Sequence, residues 1–147
     1  MSDVSYLPAG LPIPVPEPDA LSARFWQGLG EKQLLIQCCG RCSRLQWGPE
    51  WICHRCHSFD MTWREVEPVG RIYSWERVWH PSHPALKAAC PYLVVLVEIS
   101  QRDSVRLIGN LLGDPHQIVE IGAAVTGVFE HHRDAVPAFS LLQWRTQ

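Results

Sequence analysis

No stretch of this 147-residue chain is apolar for long enough to cross a membrane as a helix. The longest such run, YLVVLVEI at residues 92–99, has eight residues where a helical span needs about 20. The start, MSDVSYLPAGLPIPVPEP, lacks the basic residues and leucine-rich core of a secretory signal, so a reduced, cytoplasmic protein with no membrane association is expected. A cationic surplus is missing as well. Residues 1–30 carry one Arg against three acids, residues 31–68 five bases against five acids, and residues 69–147 seven against seven. A lobe that gripped nucleic acid through its phosphates would show excess Lys and Arg, and only Arg41, Arg44 and Arg55 cluster at all. There is no Gly-rich phosphate loop, no G-x-S-x-G and no close carboxylate pair in a hydrophobic run. What remains, 46% hydrophobic and 19% charged, is an ordinary globular balance, enough for one domain or two small lobes.

Proline, by contrast, is concentrated. Five of the twelve prolines fall between Pro8 and Pro18, where fixed φ and missing donors favour an extended arm. Asp19 is placed to cap a following helix with Leu21, Phe25, Trp26 and Leu29 on one face, ended by Gly28 and Gly30. That face packs on the protein itself, or arm and helix together dock on a partner chain. KQLLIQ, RLQWG and MTWREV read as short strands. After Gly70, five β-rich runs follow: RIYSWERVWH, YLVVLVEIS, VRLIGNLL, AVTGVFEH and AFSLLQW. Their spacing predicts a five-stranded OB-type barrel, with one helical turn in GDPHQIVEIG between the third and fourth runs. Tyr73, Trp75 and Trp79 share parity, which predicts one buried aromatic barrel face.

Two C-x-x-C units, Cys39-Gly-Arg-Cys42 and Cys53-His-Arg-Cys56, are separated by ten residues. Each such turn aims two thiolates at one cation, so a hairpin bearing two of them closes a tetrahedral structural zinc site. Iron in a rubredoxin-like site is the alternative metal. Disulfides conflict with a reducing compartment, and a redox C-x-x-C needs one pair beside a βαβ pattern, which is absent. Cys38 has the wrong spacing to Cys42 and points the other way on its strand. His54 and His57 are surplus to a four-sulfur shell and are expected to be exposed. Ser43 and His57 occupy the knuckle positions where φ > 0 favours glycine. A segment of this size buries too little to fold alone, so the metal replaces a core.

The order FWQGL, LLIQCCGRC, WICHRC, PVGRIYSWERVW, CPYLVVLVEI, VRLIGNLLG, IVEIGAAVTGVFE, PAFSLLQW resembles the small proteins that join a rubredoxin-like zinc ribbon to a C-terminal OB fold and accompany thiolase-like acyl-CoA enzymes. The resemblance covers about residues 17–145. It implies a mainly β chain with an arm at 1–18, a helix and zinc ribbon at 19–68, and a five-stranded OB-fold barrel at 69–147. It also implies a non-catalytic subunit that caps a thiolase or aldolase-type partner and helps form its acyl-CoA site, in lipid or steroid metabolism. A hot-dog enoyl-CoA hydratase is the alternative partner. The zinc ligands carried over are Cys39, Cys42, Cys53 and Cys56, with one zinc per chain; no catalytic residue carries over.

Two further sites invite weighing. Cys90 could be an activated nucleophile beside His80, His83 or His131, but its position before Pro91 and an apolar strand favours plain burial. The loop WHPSHPALKAACP places Trp79, His80, His83 and Lys87 where OB barrels often face a ligand, as an acyl-CoA or partner loop. Seven tryptophans would also suit a single-stranded nucleic-acid module, which the charge balance disfavours.

Overall fold

The computed structural model describes residues 15–17, 19–99 and 102–147. Apart from residues 15–17, the proline-rich arm lies outside them. One helix, α1 (Ala23–Gly30), precedes eight strands: β1 (Leu34–Cys39), β2 (Leu45–Gln46), β3 (Met61–Val66), β4 (Val69–Val78), β5 (Tyr92–Ile99), β6 (Arg106–Asn110), β7 (Ala124–His132) and β8 (Phe139–Thr146). The first three form an antiparallel sheet in the order β2-β1-β3, and the others a five-stranded sheet in the order β6-β5-β4-β7-β8. All the strand runs read from the sequence are therefore present. No helix among the described residues is long and apolar enough to cross a membrane.

The five-stranded sheet curls until its outer strands meet. Leu111 bridges Trp144 in parallel and the Leu112 N–H donates to the Trp144 carbonyl at 2.7 Å, which closes an OB-type barrel. Gly109 permits this closure, because a Cβ there would stand 2.6 Å from the Leu142 carbonyl oxygen and 2.9 Å from the Trp144 ring. Burial along β5 alternates strictly, with Leu93, Val95, Val97 and Ile99 inside. Trp144 is fully buried among them. The core does not stop at the barrel: Phe25 and Leu29 of α1, with Leu34, Ile36, Cys38, Leu45 and Val66 of the smaller sheet, belong to the same apolar cluster. Burial of this continuous apolar area is the main force joining the two sheets.

Four sequence expectations need correction. Asp19 does not cap α1. Its carboxylate accepts from the Leu21 N–H at 3.0 Å and from Ser22, holding the turn before the helix, and the Ser22 N–H keeps that carboxyl below the usual range. Gly30 is the last helical residue, as expected, but Gly28 does not end the helix. Gly28 lies buried within it, where a Cβ would sit 2.9 Å from the Leu35 side chain, so glycine lets α1 lie close against β1. The reversal falls at Lys32, with φ of 61°, while the Gln33 N–H returns to the Gly28 carbonyl. Phe25, Gly28 and Leu29 turn inward, so this face packs on the protein itself.

The segment GDPHQIVEIG forms turns and no helix. Asp114 accepts from the His116 N–H at 2.8 Å, and Arg77 takes the Pro115 and Gln117 carbonyls at 2.8 and 2.6 Å, leaving them unavailable to a helical ladder. Finally, the aromatic parity of β4 is broken by a bulge between Ile72 and Ser74. Trp75 pairs with Val95 on the core side, whereas Tyr73 stands 47% exposed under the Arg106 guanidinium and Trp79 is 54% exposed. There is no continuous buried aromatic face on this strand.

Candidate metal centre and its surroundings

Cys39 ends β1, Cys42 lies in the turn after it, and Cys53 and Cys56 lie in a second turn before β3. The two turns have the same construction. The Ser43 N–H donates to the Cys39 carbonyl at 2.9 Å and the His57 N–H to the Cys53 carbonyl at 3.0 Å, each closing a loop around its sulfurs. A further N–H points at the first sulfur of each pair, from Cys42 to Cys39 Sγ at 3.5 Å and from Arg55 to Cys53 Sγ at 3.4 Å. Ser43 and His57 adopt φ of 57° and 58°, the left-handed backbone expected at those positions.

The construction brings four sulfurs within 4.8 Å of one another. Cys39 and Cys56 approach to 3.6 Å, as do Cys42 and Cys53. A tetrahedral tetrathiolate with metal–sulfur bonds of about 2.3 Å has sulfurs about 3.8 Å apart, so the donor set fits a single ion. The cysteines are free rather than bridged. Crowding drives their proton affinities apart. Cys53 is drawn down to about 6, first by the Cys56 N–H, against burial and with help from the Arg55 N–H and the Cys42 and Cys39 side chains. Cys42 is pushed up to about 12: the Arg44 N–H opposes this, but burial and hydrogen bonds with Cys56, Cys53 and Cys39 prevail. Thiolates rather than thiols ligate a metal, so binding of an ion by this cluster is coupled to proton release.

Cys38 lies outside this group. It is 2% exposed, belongs to the apolar core, and burial raises its thiol pKa. His54 and His57 are exposed.

Two supports of the centre escaped sequence reasoning. Gln37 and Gln46 are 4% and 3% exposed and joined at 2.9 Å. Gln37 also holds the Glu50 N–H and carbonyl, and Gln46 the Ile52 carbonyl and the His54 N–H, so two amides fasten the second knuckle to β1 and β2. The only sequence signal is a pair of glutamines inside apolar strands. The second support is Asp103, at φ of 76°, whose carboxylate accepts the Leu45 N–H at 2.8 Å and meets Arg44 at 3.5 Å. It caps the edge of the small sheet from the β5–β6 hairpin of the barrel. Because the Arg44 carbonyl in turn accepts from the Cys39 N–H, the barrel reaches the first knuckle through one carboxylate. Asp103→Ala is expected to cost about 1 to 2 kcal/mol and to speed amide exchange at Leu45 several-fold with metal content unchanged. Exchange mass spectrometry of the 40–50 segment measures it.

The loop after β4 contains an unforeseen 3-10 helix, Pro84–Ala89. His83 Nδ1 accepts from the Ala85 N–H at 3.2 Å and so caps this helix. Trp79 packs against His116, with ring centroids 5.7 Å apart, and His80 and Lys87 are exposed. Cys90 donates to the Leu86 carbonyl at 3.5 Å, and His131 Nδ1 lies 2.7 Å from the Ser140 hydroxyl.

Comparison with known proteins bears on the whole arrangement. A family profile described as the ChsH2 C-terminal OB-fold domain matches residues 63–130. A chain of the solved Ltp2-ChsH2(DUF35) aldolase superposes with a TM-score of 0.76 at 32% identity, over 90% of this chain and 98% of that one. A DUF35-family protein from Sulfolobus solfataricus has the same fold, with a TM-score of 0.58 at 16% identity over 85% of this chain and 84% of that one. Among curated proteins, a probable enoyl-CoA hydratase alpha subunit from Thermomonospora curvata is 37% identical over 102 residues. The match takes in 69% of this chain but 31% of that relative, so the chain spans about a third of its length.

Proposed function

The chain belongs to the DUF35 family of proteins with a ChsH2-type OB fold, and from that membership we propose that it is a non-catalytic, zinc-binding subunit of an acyl-CoA-processing complex. The observation that carries this reading is the likeness to a chain of the Ltp2-ChsH2(DUF35) aldolase, over 90% of this chain and 98% of that one. Cys39, Cys42, Cys53 and Cys56 are the ligands, and zinc is the metal that suits a compact four-thiolate set. When bound, the ion supplies a crosslink between the two knuckles and no open coordination position. The chain's own residues then fasten that crosslinked head, Gln37 and Gln46 tying the second knuckle to β1 and β2 and Asp103 joining β2 to the barrel.

The partner is a thiolase or aldolase-type enzyme, and its acyl-CoA site is completed by this chain. The exposed Trp79, His80 and Lys87 lie at the mouth of that site, with His83 shaping the loop. A second reading, an enoyl-CoA hydratase partner, is favoured by the name of the curated relative. One experiment separates them: the tagged chain is isolated from its cells, and the co-purifying subunit is assayed with and without it. Retro-aldol cleavage falling at least tenfold without the chain supports the first reading, and hydration doing so supports the second. Activity indifferent to the chain defeats both. In the dependent complex, His80→Ala with Lys87→Ala should raise the KM for acyl-CoA.

A further inference from the structure

Between β2 and the β5–β6 hairpin runs a polar groove of about 210 Å³. Arg44, Trp47 and His54 line it from the knuckle side, and Asp103, Ser104 and Arg106 from the barrel side. Its two guanidinium groups therefore belong to different sheets. Arg106 on β6 is anchored twice: its Nε donates to Glu98 at 3.0 Å, and its guanidinium carbon lies 3.7 Å from the centroid of the Tyr73 ring. Arg44 is steadied by Asp103, whose carboxylate lies 3.5 Å from one Nη. Both arginine side chains stay open to a ligand, at 37% and 38% exposure.

Donors outnumber acceptors in this groove. Among the described residues, the Arg106 Nη groups and the Ser104 hydroxyl donate to no protein acceptor. Asp103 supplies the carboxylate of the lining, and its two oxygens are already engaged by the Leu45 N–H at 2.8 Å and by Arg44. Two guanidinium charges against one carboxylate leave the lining net positive. Such a site repels a metal cation and suits a ligand that only accepts hydrogen bonds. A planar carboxylate is satisfied by one guanidinium fork, whereas a tetrahedral phosphate has oxygens enough for two forks and a hydroxyl at once. Arginine keeps its charge at every ordinary pH, so the site needs no protonation to form. We propose that this groove binds a phosphate oxyanion, free or as a monoester, between Arg44, Arg106 and Ser104. The bound anion bridges the knuckle sheet to the barrel beside the link from Asp103 to Leu45.

The test titrates orthophosphate into the metal-loaded full chain at constant ionic strength, so that general screening does not change, and follows the amide signals of Leu45, Ser104 and Val105 and the Nε–H signals of Arg44 and Arg106 by NMR. Saturable shifts centred on these groups are expected. Arg44→Gln and Arg106→Gln should each weaken binding at least fivefold with circular dichroism and metal content unchanged, while Arg145→Gln, at an exposed position on β8, should not. If Arg44→Gln disturbs the sheet edge, Arg106→Gln decides by itself. Adenosine 3′-phosphate separates the two sources: tighter binding than orthophosphate assigns the groove to a phosphate ester, and equal or weaker binding assigns it to the free anion. Either result upholds the oxyanion site. Shifts that stay linear in phosphate overturn it, as do equal shifts with acetate, or saturation that Arg106→Gln leaves unchanged. The titration involves no partner enzyme, so a failure here leaves the subunit assignment standing, and a failure of that assignment leaves this site standing.

Discussion

Cys53→Ser is expected to abolish metal binding and release both knuckles while the barrel persists. Elemental analysis should fall from about one zinc per chain to none. Structural zinc contributes about 10 to 16 kcal/mol in small metal-held domains, more than the knuckles' few hydrogen bonds can replace. The loss should nevertheless be local, because β1 and β2 remain part of the common core through Leu34, Ile36 and Leu45. Amide exchange should therefore rise by orders of magnitude in 40–44 and 53–60 and far less in β4, β5 and β8. Removing the metal with a chelator should reproduce this pattern. Cys38→Ser supplies the contrast, since it adds a hydroxyl to the apolar core, costs about 1 to 3 kcal/mol, and leaves one metal per chain. Full metal content in Cys53→Ser would remove the four-thiolate centre from the account.

Glu130→Ala should be the most damaging single change in the barrel that creates no large cavity. Glu130 is 4% exposed on β7 and accepts from His132 Nε2 at 2.7 Å and from Gln143 Nε2 at 3.1 Å. Gln143 on β8 then accepts the Asn110 N–H at 2.7 Å, and Asn110 Nδ2 donates to the Leu93 carbonyl of β5 at 3.1 Å. These side chains cross the seam where β6 meets β8, which carries a single bridge in place of a full ladder. Truncation leaves two buried donors without an acceptor, at about 1 to 3 kcal/mol each, for a total of about 2 to 6 kcal/mol. At this chain length that lowers Tm by roughly 6 to 20 °C, readable by calorimetry on the metal-loaded protein. Glu120→Ala, at an exposed position, should stay within about 0.5 kcal/mol of the parent. Equal melting of the two variants would show that the seam is held by the apolar core alone.

The legibility of these features followed a physical divide. The four-cysteine cluster could be read because a C-x-x-C turn is a local object: four residues decide where two sulfurs point. The strands could be read because burial on one face imprints a period of two, as in β5. Asp103 could not, since its partners at Arg44 and Leu45 are 59 and 58 positions away and nothing in the 102–104 turn encodes them. Gln37, Gln46 and Glu130 look locally like misplaced polar residues in apolar strands, and only the folded neighbours turn them into fasteners.

Local covalent and steric rules, acting within a few residues, let the sequence by itself determine two cysteine knuckles and five barrel strands. Tertiary structure decided what those rules leave free. It put the helical reversal at Lys32, replaced the expected helical turn before β7 with a loop held by Arg77, and bent β4 at Tyr73 so that Trp75 alone of its aromatics faces the core. It also set the knuckles and the barrel on one shared core. Each of those outcomes depends on which distant surface arrives to accept a hydrogen bond or exclude water, and chain-local propensity carries no information about that arrival.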